Sequence, residues 1–439
     1  MQKKNTVIVN KLAGKRADLV GFCRYLKNDK VSMDTLKKEE ISKTENLCAS
    51  KHVLVINDTT EFNYKLHENY LSSTDKDLGP AGNNEDIGFF LHPGLVVDAE
   101  KGIALGYSYI KIWNRTWDKL DKKERKYKQQ PIEEKESYRW IECAQQSKQS
   151  VSSAKMITII ADRESDIYEE FATVPDQKTH LLIRSRCNRH LADGHTLYEK
   201  ADETTVCGTY SLNIKTTKYR KGRISDIDVK YTKVKLLKPV KFKNDNTPQF
   251  VELTLVEARE KKENLPQGEQ PVLWRLLTTH DVNSFDDAIQ IIQWYSMRWQ
   301  IELLFNTLKT GGLNMESSEL ETGKALKKLC VIALGVALKI TQLRQMRDDQ
   351  SNEPATIVFD NEEIKVIKAL VPQYEGNTLK QKNPFQENSI AWAAWLIARL
   401  GGWKGYQNES HPGNKTFKWG LDAFCSIYEG YKIAKKICA

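Results

Sequence analysis

Two compact apolar runs, each closed by an aspartate, constrain this chain more than anything else in it. Residues 53–58 read VLVIND and residues 156–162 read MITIIAD. Short continuous runs rich in Val and Ile, bounded by polar turns, are the pattern of buried strands. Other segments surround them with a consistent order. Residues 88–113 hold β-rich runs separated by Gly and Asp turns, as in a meander, and LLIRSR (181–186) is a further strand. From about 196 to 275 the pattern changes to alternation: TVCGTYSLNI, DIDVKYTKVKLL and FVELTLVEA are joined by Lys, Gly, Asn and Pro turns. This predicts an inserted antiparallel β subdomain. Helical spacing returns near residue 286 and dominates to the end, in AIQIIQWYSMRWQIELLFNTLK, KALKKLCVIALGVALKITQLRQM and SIAWAAWLIARL. Residues up to about 50 read as short, lysine-rich helices, and the alternating charges of 118–136 as a solvated helix or loop.

Strands that end in acids, a β-rich insertion and then a helix bearing a glutamate fit an α/β sheet domain of the ribonuclease H type. Pattern alone does not give the strand order.

Composition narrows the setting. A chain of 439 residues, 40% apolar, can bury two or three domains. The longest uncharged apolar run, 329–338, is too short to span a bilayer, and no apolar segment with a cleavage site opens the chain. The eight cysteines (Cys23, Cys48, Cys143, Cys187, Cys207, Cys330, Cys425 and Cys438) include no CxxC pair. That points away from a zinc site or a dithiol couple and towards a reducing cytoplasm, with no membrane partner. A net charge of +9, from 67 Lys+Arg against 58 Asp+Glu, favours a polyanionic partner, though only modestly.

The chemistry concentrates in WYSMRWQIELLFNTLKTGG, residues 294–312. On one continuous helix, Tyr295, Arg298, Glu302, Asn306 and Lys309 fall within an arc of about 80°, at about 100° per residue. One carboxylate between cations and a phenol suits a metal ion beside a phosphodiester. The plainer alternative is an i,i+4 ion pair, Arg298 with Glu302, on a wet face. Asp58 in NDTT and Asp162 in ADRESD close the two apolar runs, where acids also serve as turn or cap residues. Taken together, three converging carboxylates could hold two hard cations. Glu164 and Asp166 are set aside as ligands, with Asp166 expected to cap or orient Asp162.

These residues resemble a known family, the DDE transposases of bacterial insertion sequences with a Tyr-x2-Arg-x3-Glu-x6-Lys signature. Here the signature is Tyr295, Arg298, Glu302 and Lys309, with every spacing kept. NDTTEFNY, ADRESDIYEEF, LLIRSR, LWRLLTTHDV and WLIARLGGW also look familiar, so the resemblance covers residues 44–439. It implies two Mg²⁺ ions (Mn²⁺ being equally suited to oxygen ligands) held by Asp58, Asp162 and Glu302. They would activate water to nick one strand at the transposon end. The freed 3′-hydroxyl would form a hairpin on the opposite strand, and hairpin opening and strand transfer into target DNA would follow. Arg184 would touch phosphate or flipped DNA near the cut. Trp274 would stack on a flipped base, its alternative being a packing tryptophan, and Tyr295, Arg298 and Lys309 would grip phosphates.

The layout implied is a remnant of an N-terminal helical DNA-recognition domain (1–45), a ribonuclease H-like catalytic domain (46–385) with the insertion, and a helical C-terminal dimerisation region (386–439). Partners would be double-stranded DNA, as inverted-repeat ends and target, and a second copy of the chain. The setting would be the bacterial cytoplasm, at the nucleoid when DNA is bound. Asn306 stands where a close relative has lysine. Only 57 residues precede Asp58, where the family has a longer recognition domain. The competing expectation is therefore a shortened, non-catalytic inhibitor that dimerises with a full-length transposase.

Overall fold

The structure, a computed structural model, describes residues 7–9, 13, 15–72, 74–118, 127, 130–214, 216, 221–240, 247–347, 352–406 and 409–438. Its centre is β1 (His52–Asn57), whose Val53, Leu54, Val55 and Ile56 are fully buried. β6 (Met156–Ala161) runs parallel beside it, and β7 (Thr179–Arg184) runs parallel beside β6. The long strand β4 (Asp86–Asp98) flanks β1 on the other side, antiparallel. It also pairs with β2 (Thr60–Asn63), β3 (Gly79–Ala81) and β5 (Ala104–Trp113). The β4–β5 hairpin lies within the stretch read as a meander.

β8 (Gly208–Ile214), β9 (Arg223–Leu237), β10 (Phe250–Glu260) and β11 (Leu273–Thr278) are antiparallel, as their alternation requires. They do not make a separate sheet. β11 pairs with β7, so the order runs β2-β4-β1-β6-β7-β11-β10-β9-β8 in one 11-stranded sheet. Alternation reports one covered face of a strand and says nothing about which sheet the strand joins.

Eleven helices are described: α1 (Arg16–Lys27), α2 (Met33–Glu45), α3 (Tyr138–Ser150), α4 (Tyr168–Thr173), α5 (Leu197–Glu203), α6 (Phe285–Ser296), α7 (Trp299–Leu308), α8 (Gly323–Met346), α9 (Asn361–Tyr374), α10 (Ile390–Leu400) and α11 (Asn414–Ile437). α3 covers β1, β4 and β5. α2 and α8 pack on β5 and on each other, and α1 packs on α8. α10 is buried from Ile390 to Ala398, with Trp392 and Trp395 inside the chain. Much of the aromatic content of the C-terminal region thus serves packing within the chain.

The helix expected over 294–312 is not continuous. α6 ends at Ser296 and α7 begins at Trp299, with Met297 and Arg298 forming a turn of right-handed helical dihedrals. Most of residues 118–136, read as a solvated charged segment, lies outside the described residues. All eight cysteines are free, and no described helix is long and apolar enough to cross a membrane.

Candidate active site

Parallel register decides which side chains share one edge of the sheet. Ile56 of β1 pairs with Ile160 of β6, and Ala161 of β6 with Ile183 of β7. Continued for one or two residues, that register sets Asp58 beside Asp162 and Asp162 beside Arg184, on strands about 4.8 Å apart. The carboxyl ends of parallel strands are where open α/β sheets bind ligands. On β11, Leu276 lies opposite Arg184, which brings Trp274 to the same end.

The turn between α6 and α7 carries the third acid to this edge. Arg298 Nη1 donates to Asp58 Oδ2 at 3.1 Å, and Nη2 donates to Glu302 Oε1 at 2.5 Å. The i,i+4 ion pair exists, but the same guanidinium also binds an acid 240 residues away in sequence. Asp58 Oδ1 accepts the Thr59 N–H at 2.7 Å, and Asp162 Oδ1 accepts the Glu164 N–H at 2.8 Å. Burial and then the neighbouring Asp162 push the Asp58 carboxyl up to about 6, against the pull of the Thr59 N–H and Arg298, while Glu302 adds to the rise. Tyr295 is buried beneath this cluster, which pushes its phenol up despite the nearby Arg298 and Arg184. Its ring meets Trp274 edge-on at 5.3 Å.

A set of carboxylate oxygens suits a hard divalent cation, and an acid held above its ordinary range marks a place short of positive charge. The residues therefore fit such an ion in their chemistry. As the side chains stand, no three His, Cys, Asp or Glu groups among the described residues converge closely enough to ligate one ion. Arg298 instead engages one oxygen of Asp58 and one of Glu302.

Two residues of the expected helical face go elsewhere. Lys309, at the C-terminal end of α7, sits 3.7 Å from Glu316 and over the Phe62 ring. Asn306 Oδ1 faces the Asn414 amide of α11 at 3.4 Å. Both lie past the turn with Glu302: Lys309 closes α7 with non-helical dihedrals (φ −89°, ψ −132°), and Asn306, one turn beyond Glu302, is taken up by α11. Asp166 does not orient Asp162. Its fully buried side chain is clamped by Arg189 at 2.7 Å and accepts the Arg186 N–H at 2.8 Å.

Several cations beside the acids went unmarked in the sequence. A cleft of about 540 Å³ next to Asp162 is lined by Arg163, Arg184, Arg186 and Arg275 together with Tyr198 and Trp274. Arg275 is held rigid, with Nε 2.7 Å from the buried Glu257 and the guanidinium 4.0 Å from the Tyr198 ring centroid. Arg163 and Arg275 adjoin Asp162 and Trp274 in sequence, and Arg186 is two residues beyond Arg184. Adjacency to the named residues was the signal that could have found them.

A chain of the piggyBac transposase synaptic complex with hairpin DNA matches with 9% identity and a TM-score of 0.37, over 92% of this chain and 61% of that one. This chain thus spans less than two thirds of the length of that protein. The family described as "Transposase DDE domain" matches residues 134–338, the segment that holds Asp162, Arg184, Trp274, Tyr295, Arg298, Glu302 and Lys309, and it is to these transposase domains that the centre of this chain is similar.

Proposed function

We propose that this chain is a DDE transposase that cuts and joins double-stranded DNA with divalent metal, using Asp58, Asp162 and Glu302 on a ribonuclease H-like sheet. One observation carries the reading: acids follow two neighbouring parallel strands at one edge of the sheet, and one arginine ties the first of them to a third acid on α7. When bound, Mg²⁺ supplies positive charge to the attacking and leaving oxygens of a phosphodiester displacement. The chain's own groups do the rest. Arg163, Arg184, Arg186 and Arg275 hold phosphates in the cleft, where planar guanidinium groups can bind two oxygens at once. Trp274 offers an aromatic face at the cleft wall to a base taken out of the stack. Tyr295 braces Trp274 and orients Arg298, and Lys309 reaches the backbone further along.

The finer reading follows the signature: 3′-end nicking at the inverted repeats of an insertion sequence, hairpin formation, then strand transfer. A homodimer would suit it, since α11 leaves Trp419, Ile433 and Ile437 exposed. The test is to incubate the purified chain with Mg²⁺ and DNA carrying the repeats that flank its gene. Nicks at the 3′ ends and hairpins are expected, and intact DNA under those conditions would refute the reading.

Trp274→Ala separates stacking from packing. Loss of one base–aromatic stack, about 1–3 kcal/mol, should slow hairpin formation roughly tenfold while sparing the first nick. Equal loss of both steps, measured by resolving products over time, would assign Trp274 to packing.

A further inference from the structure

The two strand-end acids share a latch. Arg139, in the first turn of α3, is 9% exposed and reaches both of the loops that carry them. Its Nε donates to Thr59 Oγ1 at 2.8 Å, and its Nη2 donates to Glu164 Oε2 at 2.6 Å. Its Nη1 donates to the Glu136 carbonyl at 2.9 Å. Thr59 directly follows Asp58 and Glu164 lies two residues after Asp162. The backbone N–H of each is the donor that fixes its acid's Oδ1. One guanidinium therefore grips, through side chains, the same two residues that grip the carboxylates through their backbone.

Proton bookkeeping fixes the direction of this chain. A guanidinium only donates, so Thr59 Oγ1 accepts from Arg139 and its own O–H is free to donate to His92 Nδ1 at 2.9 Å. Burial, and then the Arg139 charge, hold His92 well below its ordinary pKa, so its ring is neutral and Nδ1 can accept. His92 in turn packs edge-on against Trp140, 4.7 Å away on α3. Arg139 and His92 are buried, and Thr59 is half-buried between them with its hydroxyl accepting from one and donating to the other.

From this we infer that Arg139 is a positioning residue: it sets the distance and orientation of Asp58 relative to Asp162 by latching their loops to α3. The inference rests on the proposed function, because it concerns how two of the proposed acids are presented to metal. Outer-layer hydrogen bonds of this kind typically govern metal affinity by about 10–100-fold.

The experiment titrates Mn²⁺ into the full chain without DNA, following free Mn²⁺ by electron paramagnetic resonance, with thermal unfolding recorded in parallel. Arg139→Gln is expected to weaken Mn²⁺ binding by about tenfold or more. Thr59→Val, which removes the acceptor and leaves the arginine, should weaken it less. Arg139→Lys, which keeps the charge and reaches one partner at a time, should recover part of the loss. If Arg139→Gln does not fold, Thr59→Val and Glu164→Gln decide the matter, each expected to weaken binding without lowering the unfolding temperature. Unchanged Mn²⁺ affinity in folded variants would overturn the latch. An unsubstituted chain that binds no Mn²⁺ would instead overturn the metal-dependent function on which the latch depends.

Discussion

In metal-free buffer near neutral pH, Asp58→Asn is expected to be more stable than the unsubstituted chain while losing DNA cleavage. The Asp58 carboxyl is held at about 6 against an ordinary 3.8. A carboxyl raised on folding contributes stability below its unfolded pKa and loses it as the pH climbs through its folded one. The window is therefore about pH 4 to 6, and above it the folded chain carries an ionised acid that burial and Asp162 oppose. The shift corresponds to about 3 kcal/mol. Because the side chain is 22% exposed, a discounted gain on the order of 2 kcal/mol is the expectation. Asparagine keeps an oxygen for the Thr59 N–H and removes the charge. Cleavage should fall by about 10³-fold or more, as several kcal/mol of charge stabilisation are lost with the metal. Added Mg²⁺ should stabilise the unsubstituted chain and leave the variant unmoved. Denaturant midpoints with and without Mg²⁺ check this, and a destabilised variant in metal-free buffer would contradict it.

The second large effect lies at the other end of the same strands. His52 opens β1, Thr158 lies in β6, His180 in β7 and His280 just beyond β11. Thr158 Oγ1 is 2.8 Å from both His52 Nε2 and His280 Nε2, and the His180 and His280 rings stack at 4.0 Å. A hydroxyl can donate to one ring nitrogen and accept from the other only while one of those nitrogens is unprotonated. Burial first, and then the other histidines, push His52 down to about 4 and His280 to about 3. Histidines depressed on folding lose stability as the pH falls below their unfolded value near 6.5. Each contributes about 1.4 kcal/mol per pH unit. Discounted for the partial exposure of His52, the pair should cost about 3 kcal/mol between about pH 6.5 and 5.

Two acids work the other way in that window. Glu170, fully buried and hydrogen-bonded to Ser165 at 2.6 Å, is pushed up to about 8 by burial, and Asp58 stands at about 6. The unsubstituted chain can therefore look flat with pH. The discriminating comparison is His52→Gln with His280→Gln against the unsubstituted chain. The double variant should gain about 3 kcal/mol relative to it on acidification over that window. A difference that does not change with pH would show that His52 and His280 take up protons in the folded chain as readily as in the unfolded one.

The sequence made the two acid-ended strands legible because a continuous apolar run can only be buried, and burial on both faces fixes β1 and β6 at the centre of the sheet. It could not make legible that Asp58 and Asp162 lie side by side. That depends on a pairing between segments about a hundred residues apart, which no local period records. The same blindness to long-range pairing hid the β7–β11 contact, so strands that join the central sheet read as a separate subdomain. Helical phase was trusted too far across Met297 and Arg298, where no Gly or Pro warns of a turn. Past that turn, Lys309 is engaged by Glu316 and Asn306 by Asn414, partners that helical phase does not record. Arg139 had no signal at all, since a buried cation is recognisable only once its partners are placed. Asp166 had the pattern of a helper to Asp162, yet a distant arginine, Arg189, claims it.

The central claim is that Asp58, Asp162 and Glu302 act as one set. Its most direct test is strand cleavage of repeat-bearing DNA in Mg²⁺ by the unsubstituted chain and by Asp58→Ala, Asp162→Ala and Glu302→Ala, with DNA binding measured on the same preparations. Nicking is expected from the unsubstituted chain alone, with all four binding DNA comparably; nicking retained by any one of the three variants would contradict a shared role for the three acids.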